Sequence, residues 1–392
     1  MSSPKNAIRR TIVIGLVFVI LSTCVITSAY AAQSLTPKRR FSFLRASGQS
    51  IVDGFGNQVL LRGADFPGYD GPIILSHYEA DYVKMASWGF NVVRLPIEWA
   101  HIEPQAGQYD DTYLSKYVDQ DIAWAKQHGI YIVLSMQQYQ WSPYFTYYDQ
   151  YTGGIPSWAV SGYPNTAQGE AQAKADFWNN LGPNGSTPSA SNPGMLDRFK
   201  QMWMHVASRY AQEPTVVGYD LFNEPTVFTN SGVVVYDPTT LCTVTLPAFY
   251  NTVIDGIRTV DSNHIIFWES CAIYNMPLPV PPSRSNIVYS PHWNKESGYD
   301  GNTAGLLSSI QTRVINPANS WNQPVWFGEF CVPYDGSNAV QYIHDFGGIA
   351  NTYGLSWAWW CYGRYNLGYS LLDGNGNERT ILTTNIITIV KD

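Results

Sequence analysis

Eight short apolar runs, at 58–62, 91–95, 130–134, 216–222, 264–268, 286–289, 325–327 and 355–360, recur along this chain with helical stretches between them. The runs are rich in Val, Ile, Phe, Tyr and Trp and too short for ordinary helices, so they read as buried strands. The periodic segments between them predict helices over 78–88, 113–128, 193–211, 246–260 and 339–352. Strand and helix alternating eight times, with no break in composition, predict a closed parallel sheet wrapped in helices: a (β/α)8 TIM barrel of the α/β class, in one domain. A doubly wound open sheet is the alternative. It would carry a Gly-rich phosphate turn after its first strand, and Arg62-Gly63-Ala64-Asp65-Phe66-Pro67-Gly68 does not match that pattern. Ahead of the barrel, 42–59 reads as a β-hairpin with Asp53-Gly54 and Gly56-Asn57 as turn signals.

A barrel of this kind builds its site at the carboxyl ends of its strands. Two of the runs end there in a glutamate: Val216-Val217-Gly218-Tyr219-Asp220-Leu221-Phe222-Asn223-Glu224-Pro225, and Pro324-Val325-Trp326-Phe327-Gly328-Glu329-Phe330. Arg94, His292 and Trp360 fall at other strand ends. Two carboxyls flanked by a cation and aromatic rings suit the cleavage of a glycosidic bond. One acid protonates the leaving oxygen while the other, ionised, attacks the anomeric carbon or activates water. Arg94 is expected to hold one carboxylate ionised, leaving the other to keep its proton to higher pH.

The first residues lie outside the fold. Lys5, Arg9 and Arg10 precede an uncharged apolar stretch, and Ala29-Tyr30-Ala31 fits a small-residue cleavage site, so 1–31 reads as a secretory signal and 32–40 as a linker. A retained membrane anchor is the competing reading, and is the only membrane proximity expected. Loss of the three basic residues takes the net charge from −7 to −10, which argues against nucleic acid as a partner. With 45% hydrophobic and 14% charged residues, the remaining 41–392 can bury a large core. Four of the five cysteines remain after cleavage, and the expected pairings are Cys331 with Cys361 and Cys242 with Cys271, against four separate buried thiols. Their spacing matches no zinc motif, and no metal or other cofactor is expected. Asp373-Gly374-Asn375-Gly376-Asn377 opens like a calcium loop, but Glu378 and Thr384 occupy positions that need Gly and Glu, so it reads as a tight turn.

The segment 138–192 is too long for a simple connector. It carries Tyr139, Trp141, Tyr144, Phe145, Tyr147, Tyr148, Tyr151, Trp158 and Tyr163. Most are expected to form a local core, with two or three facing a sugar. Asn184-Gly185-Ser186 is a glycosylation acceptor sequence.

Taken together, Asn223-Glu224-Pro225, Phe327-Gly328-Glu329, Gly89-Phe90-Asn91-Val92-Val93-Arg94 and Tyr289-Ser290-Pro291-His292 resemble glycoside hydrolase family 5, the cellulase family, from about Phe41 onward. The resemblance implies a retaining double displacement with Glu224 as acid/base and Glu329 as nucleophile. It also implies that Asn223 contacts the sugar 2-hydroxyl, Arg94 supports Glu329 and His292 orients the acid/base or the sugar. Trp360, or alternatively Trp359, would be the floor beneath the sugar. Two departures stand out. Gln137 occupies the place of a family histidine, and His292-Trp293-Asn294 replaces His-x-Tyr, removing a partner expected beside the nucleophile. Ile51-Val52-Asp53-Gly54 with Leu61-Arg62-Gly63, Gly153-Gly154-Ile155-Pro156-Ser157-Trp158-Ala159 and Phe177-Trp178 resemble the endoglycosylceramidase branch. The chain ends about thirty residues after Trp360, which is expected to leave no room for that branch's β-sandwich. A secreted endo-β-1,4-glucanase acting on a β-linked polysaccharide is therefore expected first. A glycolipid or other glycoconjugate, or β-mannan, follows as substrate, with a carbohydrate-binding barrel lacking turnover as the non-enzyme alternative.

Overall fold

The computed structural model describes residues 41–391 apart from 70–75, 139–140, 148–152, 227, 230, 272–277 and 365–366. The expected leader or anchor, and Tyr139, Tyr148 and Tyr151, lie outside the described residues. The chain opens with the antiparallel pair β1 (Arg45–Ser47) and β2 (Ser50–Val52). Gln58 and Val59, expected to start the first barrel strand, instead extend this hairpin: Val52 bridges Gln58, and Val59 N–H donates to Ile51 O. The barrel begins at β3 (Arg62–Asp65) and continues through β4 (Val92–Ile97), β5 (Tyr131–Met136), β6 (Val216–Asp220) and β7 (Ile265–Trp268). The expected sixth strand, 286–289, is β8 (Ile287–Tyr289), and a further short strand, β9 (His292–Asn294), follows it after Ser290-Pro291 interrupts the ladder, where proline has no N–H to give. β10 (Trp326–Cys331) and β11 (Ser356–Trp359) complete the sheet, all parallel, in the order β8-β7-β6-β5-β4-β3-β11-β10-β9. Tyr289 bridges Val325, so the ends of that order meet and the (β/α)8 TIM barrel closes.

Period-2 alternation decides what faces inward. Val92, Tyr131, Val133, Val217, Ile265, Phe267, Val288, Trp326 and Ala358 form one buried cluster with Leu44 and Ile51 of the hairpin region. The hairpin thus plugs the end of the barrel opposite the site. Outside, α1 (Glu79–Trp88), α2 (Asp119–His128), α3 (Ala167–Trp178), α4 (Met195–Tyr210) and α5 (Leu246–Arg258) are followed by α6 (Thr303–Ile310), α7 (Asn316–Trp321), α8 (Ala339–Tyr353) and α9 (Thr380–Lys391).

The long segment after β5 is not structureless. It contains α3, and its described aromatics pack into the main core: Trp141 and Phe145 are buried in it, and Tyr144, Tyr147, Trp158 and Tyr163 are partly buried against it. Lys174 of α3 is buried, pairs with Glu170 at 2.8 Å and donates to Phe228 O at 2.9 Å, tying this segment to the loop after β6. Asn184 is exposed, but its amide is engaged, accepting from Gly162 N–H at 2.7 Å.

Cys242 and Cys271 form a disulfide, as expected, linking the approach to α5 to the end of β7. Cys331 and Cys361 do not pair with each other and are buried thiols. The register that sets Phe330 opposite Trp359 would set Cys331 opposite Trp360, one residue short of Cys361. Asp373 to Asn377 is a turn closed by Asp373 Oδ1, which accepts from the N–H groups of Asn375 and Asn377.

Candidate active site

Sheet register assembles the site. Asp65 of β3 is paired with Arg94 of β4, Ser135 of β5 with Asp220 of β6, and Glu329 of β10 with His292 of β9. Arg94 is fully buried at the centre. Its Nη1 donates to Asp65 Oδ1 at 2.9 Å and Glu329 Oε1 at 2.8 Å. Its Nη2 donates to Asp220 Oδ2 at 2.7 Å, Asn223 Oδ1 at 2.8 Å and Glu269 Oε1 at 3.1 Å. A planar guanidinium with five donors suits such a hub. Arg94 therefore binds Glu329 directly, and it shares its charge among four acidic side chains.

Glu224 follows β6 with a backbone φ of +46°, in the left-handed region that non-glycine residues rarely occupy. Its side chain is partly exposed, and its Oε1 lies 2.8 Å from His292 Nδ1. The same ring nitrogen is 3.5 Å from Glu329 Oε2, while Nε2 is 3.2 Å from Glu269 Oε1. One carboxyl oxygen of Glu224, one of Glu329 and a nitrogen of His292 all lie within 4.8 Å of one another. The two expected glutamates are thus brought together by a histidine.

Asn294 Nδ2 donates to Glu329 Oε2 at 3.2 Å. The expected loss of a partner beside this glutamate is corrected here: an asparagine amide supplies the hydrogen bond. Asn223 is held by Arg94 through its side chain and by Met136 O through its N–H at 2.9 Å. Gln137 is buried at the end of β5, and its Nε2 has no hydrogen-bond partner among the described residues. Its neighbour Gln138 donates to Asn223 O. Trp360 is partly buried and continues β11 at this end of the barrel, its N–H donating to Phe330 O at 3.0 Å. Trp359 is fully buried with its Nε1 on Tyr369 O at 2.9 Å, which removes it as a surface for a ligand.

Burial dominates the electrostatics. It pushes the Glu329 carboxyl above the ordinary range, outweighing the opposite pull of His292 and Arg94. Arg94 thus acts in the expected direction without setting the net result. Burial also raises Glu269 to about 8, and it raises Asp65 against the pull of Arg94. Burial alone would lower His292, but the charges of Glu269 and Glu329 raise it well above an ordinary histidine.

Asp65, Asp220 and Glu269 were not anticipated from the sequence as members of this cluster. For Glu269 the signal was present: Ile265-Ile266-Phe267-Trp268-Glu269 is an apolar run ending in a carboxylate, the pattern that marked Glu224 and Glu329.

A family model described as Cellulase (glycosyl hydrolase family 5) matches residues 52–366. An endoglycoceramidase of Cyanea nozakii is 26% identical over 257 residues, covering 56% of this chain and 49% of that one. Endoglycoceramidase I of Rhodococcus hoagii is 25% identical over 278 residues, covering 65% and 54%. This chain spans about half the length of these relatives. Among solved structures, endo-glycoceramidase II from Rhodococcus sp., as its lactosyl-enzyme intermediate, aligns with a TM-score of 0.71 at 25% identity over 88% of this chain and 80% of that one.

Proposed function

Since this chain belongs to glycosyl hydrolase family 5, we propose that it is a retaining β-glycoside hydrolase in which Glu329 is the nucleophile and Glu224 the acid/base. The observation that carries this is the approach of the two carboxyls, with oxygens within 4.8 Å. Retaining enzymes hold their carboxyls about 5–5.5 Å apart, whereas inverting ones need roughly 6.5–9.5 Å to admit a water between them. In the first step Glu329 attacks the anomeric carbon while Glu224 gives its proton to the departing oxygen. In the second, Glu224 takes a proton from water, which attacks the same carbon and releases Glu329. Arg94 and Asn294 hold the Glu329 oxygens for attack, Asn223 meets the sugar 2-hydroxyl, Gln137 offers its amide to a neighbouring hydroxyl, and Trp360 lies under the ring.

For the substrate, the relatives favour a β-glycosylated lipid over the cellulose-like chain expected first. Exposed apolar side chains on the loops beyond four strands, Val234, Leu278, Tyr334 and Leu367, fit a lipid aglycone. The Cys242–Cys271 disulfide supports export behind the N-terminal leader, since such bonds persist in oxidising compartments.

The test is hydrolysis by the protein from about Gln33 onward of glucosylceramide, a soluble cellulose derivative, mannan, xylan and an aryl β-glucoside, beside Glu329→Gln. Sugar release from the glycolipid that vanishes in the variant, with the β-anomer formed first by NMR, is the expected result. Activity confined to the cellulose derivative returns the substrate to polysaccharide. An α-anomer formed first overturns the retaining mechanism, and silence on every substrate favours a binding protein.

A further inference from the structure

Glu269 reaches Glu224 from two directions. Its Oε2 accepts the Glu224 backbone N–H at 2.8 Å. Its Oε1 stands 3.2 Å from His292 Nε2, and the other nitrogen of that ring stands 2.8 Å from the Glu224 carboxyl. The residue is itself held from three sides: Arg94 donates to its Oε1, Tyr250 Oη accepts its backbone N–H at 3.1 Å, and Cys271, two residues on, is tied by the disulfide to Cys242. Its side chain is 3% exposed, so it has no route of its own to a substrate.

What it holds needs holding. A glutamate in the left-handed region costs on the order of 1 kcal/mol or more and persists only where the surroundings over-determine it. The Glu224 N–H, partly buried, would lose its hydrogen-bond acceptor without Glu269 Oε2. Glu269 Oε1, 3.2 Å from Nε2, also bears on the ring from the side opposite Nδ1, which sets how the ring presents Nδ1 to Glu224. We propose that Glu269 is a positioning residue for the acid/base, fixing the Glu224 main chain directly and the Glu224 carboxyl through His292. The proposal rests on reading Glu224 as the acid/base.

That reading supplies a readout which a merely structural role would not move. A leaving group such as 2,4-dinitrophenolate departs without a proton, whereas an alkoxide or a weakly acidic phenol needs one. Aryl β-glycosides spanning this range are assayed with wild type, Glu269→Gln, Glu269→Ala and Glu224→Ala, following formation of the glycosyl-enzyme by its burst. Glu269→Gln keeps an oxygen for the Glu224 N–H but sets an amide N–H in place of the oxygen that faces His292, and Glu269→Ala loses both contacts. The expected result is a loss on the poorest leaving group of about tenfold for Glu269→Gln and about a hundredfold for Glu269→Ala, with the dinitrophenyl glycoside nearly unaffected. A loss equal across all leaving groups, or no loss, overturns the proposal. If Glu269→Ala does not fold, the Glu269→Gln series decides on the same criterion. Glu224→Ala separates the two levels: full activity on poor leaving groups overturns the acid/base reading and the proposal with it. A steep leaving-group dependence there beside a flat one in the Glu269 variants overturns the proposal alone.

Discussion

Asn294 gives Glu329 Oε2 a side-chain N–H at 3.2 Å, while Arg94 holds the other oxygen at 2.8 Å. A hydrogen bond to a charged group is worth about 1.5–3 kcal/mol, so Asn294→Ala is expected to lower kcat roughly ten- to hundredfold with a smaller change in KM. Steady-state kinetics check this, and a variant that loses KM alone would show that Asn294 serves the sugar instead. At the level of single residues, Glu224 and Glu329 were legible because each ends an apolar run that a barrel must point at its mouth. Asn294 was legible as a departure from a family pattern, but not as a substitute, because only three-dimensional register sets its amide beside Glu329. Glu269 carried the same signal as the two chosen acids. Asp65 stayed hidden because the first strand begins four residues later than the apolar run suggests, and only that shift sets it beside Arg94.

The break between β8 and β9 is the element on which the site turns. Tyr289 still meets Val325, then Pro291 leaves the ladder, accepting Gly328 N–H at 3.1 Å, and His292 rejoins it opposite Glu329. Gly328 leaves room for this return: a Cβ there would stand 2.6 Å from Ser290 Oγ and 2.9 Å from His292 Nε2. Gly328→Ala is therefore expected to push His292 away from Glu269 and Glu224. Displacing a group in an active site by about 1 Å can cost a hundredfold in rate, so the loss of kcat should exceed what the fall in thermal midpoint would suggest. Unfolding curves beside kinetics check this; unchanged activity would mean that the ring position is not critical. The strand order follows from the apolar runs, but this break does not, since Pro291 in the sequence does not say whether the strand ends or resumes. The terminal helix α9 was also missed. Its Thr- and Ile-rich sequence has low helix propensity, and packing against α8, with Ile389 over Gly347, overrides it.

Across the whole molecule the site imposes a pH dependence on folding. Glu269 is surrounded by Arg94 of β4, Asp220 of β6, Tyr250 of α5, His292 of β9 and the Glu224 main chain. Burial raises its carboxyl from 4.5 to about 8. A group raised on folding contributes stability that is fully present below its unfolded value and is lost as pH climbs through its folded one. For Glu269 that window runs from about 4.5 to about 8. His292, also raised, contributes below about 6.5 and loses that contribution as pH passes its folded value, so the two act in the same direction. Asp261, lowered despite burial by its bond to His264, works oppositely, contributing above its ordinary value and failing only in acid. Stability should therefore peak on the mildly acidic side and decline toward pH 8, by at most about 1.4 kcal/mol per pH unit for each proton the fold retains. Thermal midpoints between pH 4 and 9 measure this, and Glu269→Gln identifies the source. General repulsion from the remaining excess of acidic over basic residues is nearly the same in the variant, so the difference between the two curves isolates the cluster. A flatter curve for Glu269→Gln over the same window assigns the retained proton to the site that Arg94 organises. Parallel curves would mean that Glu269 is ionised throughout and that the proton is held elsewhere.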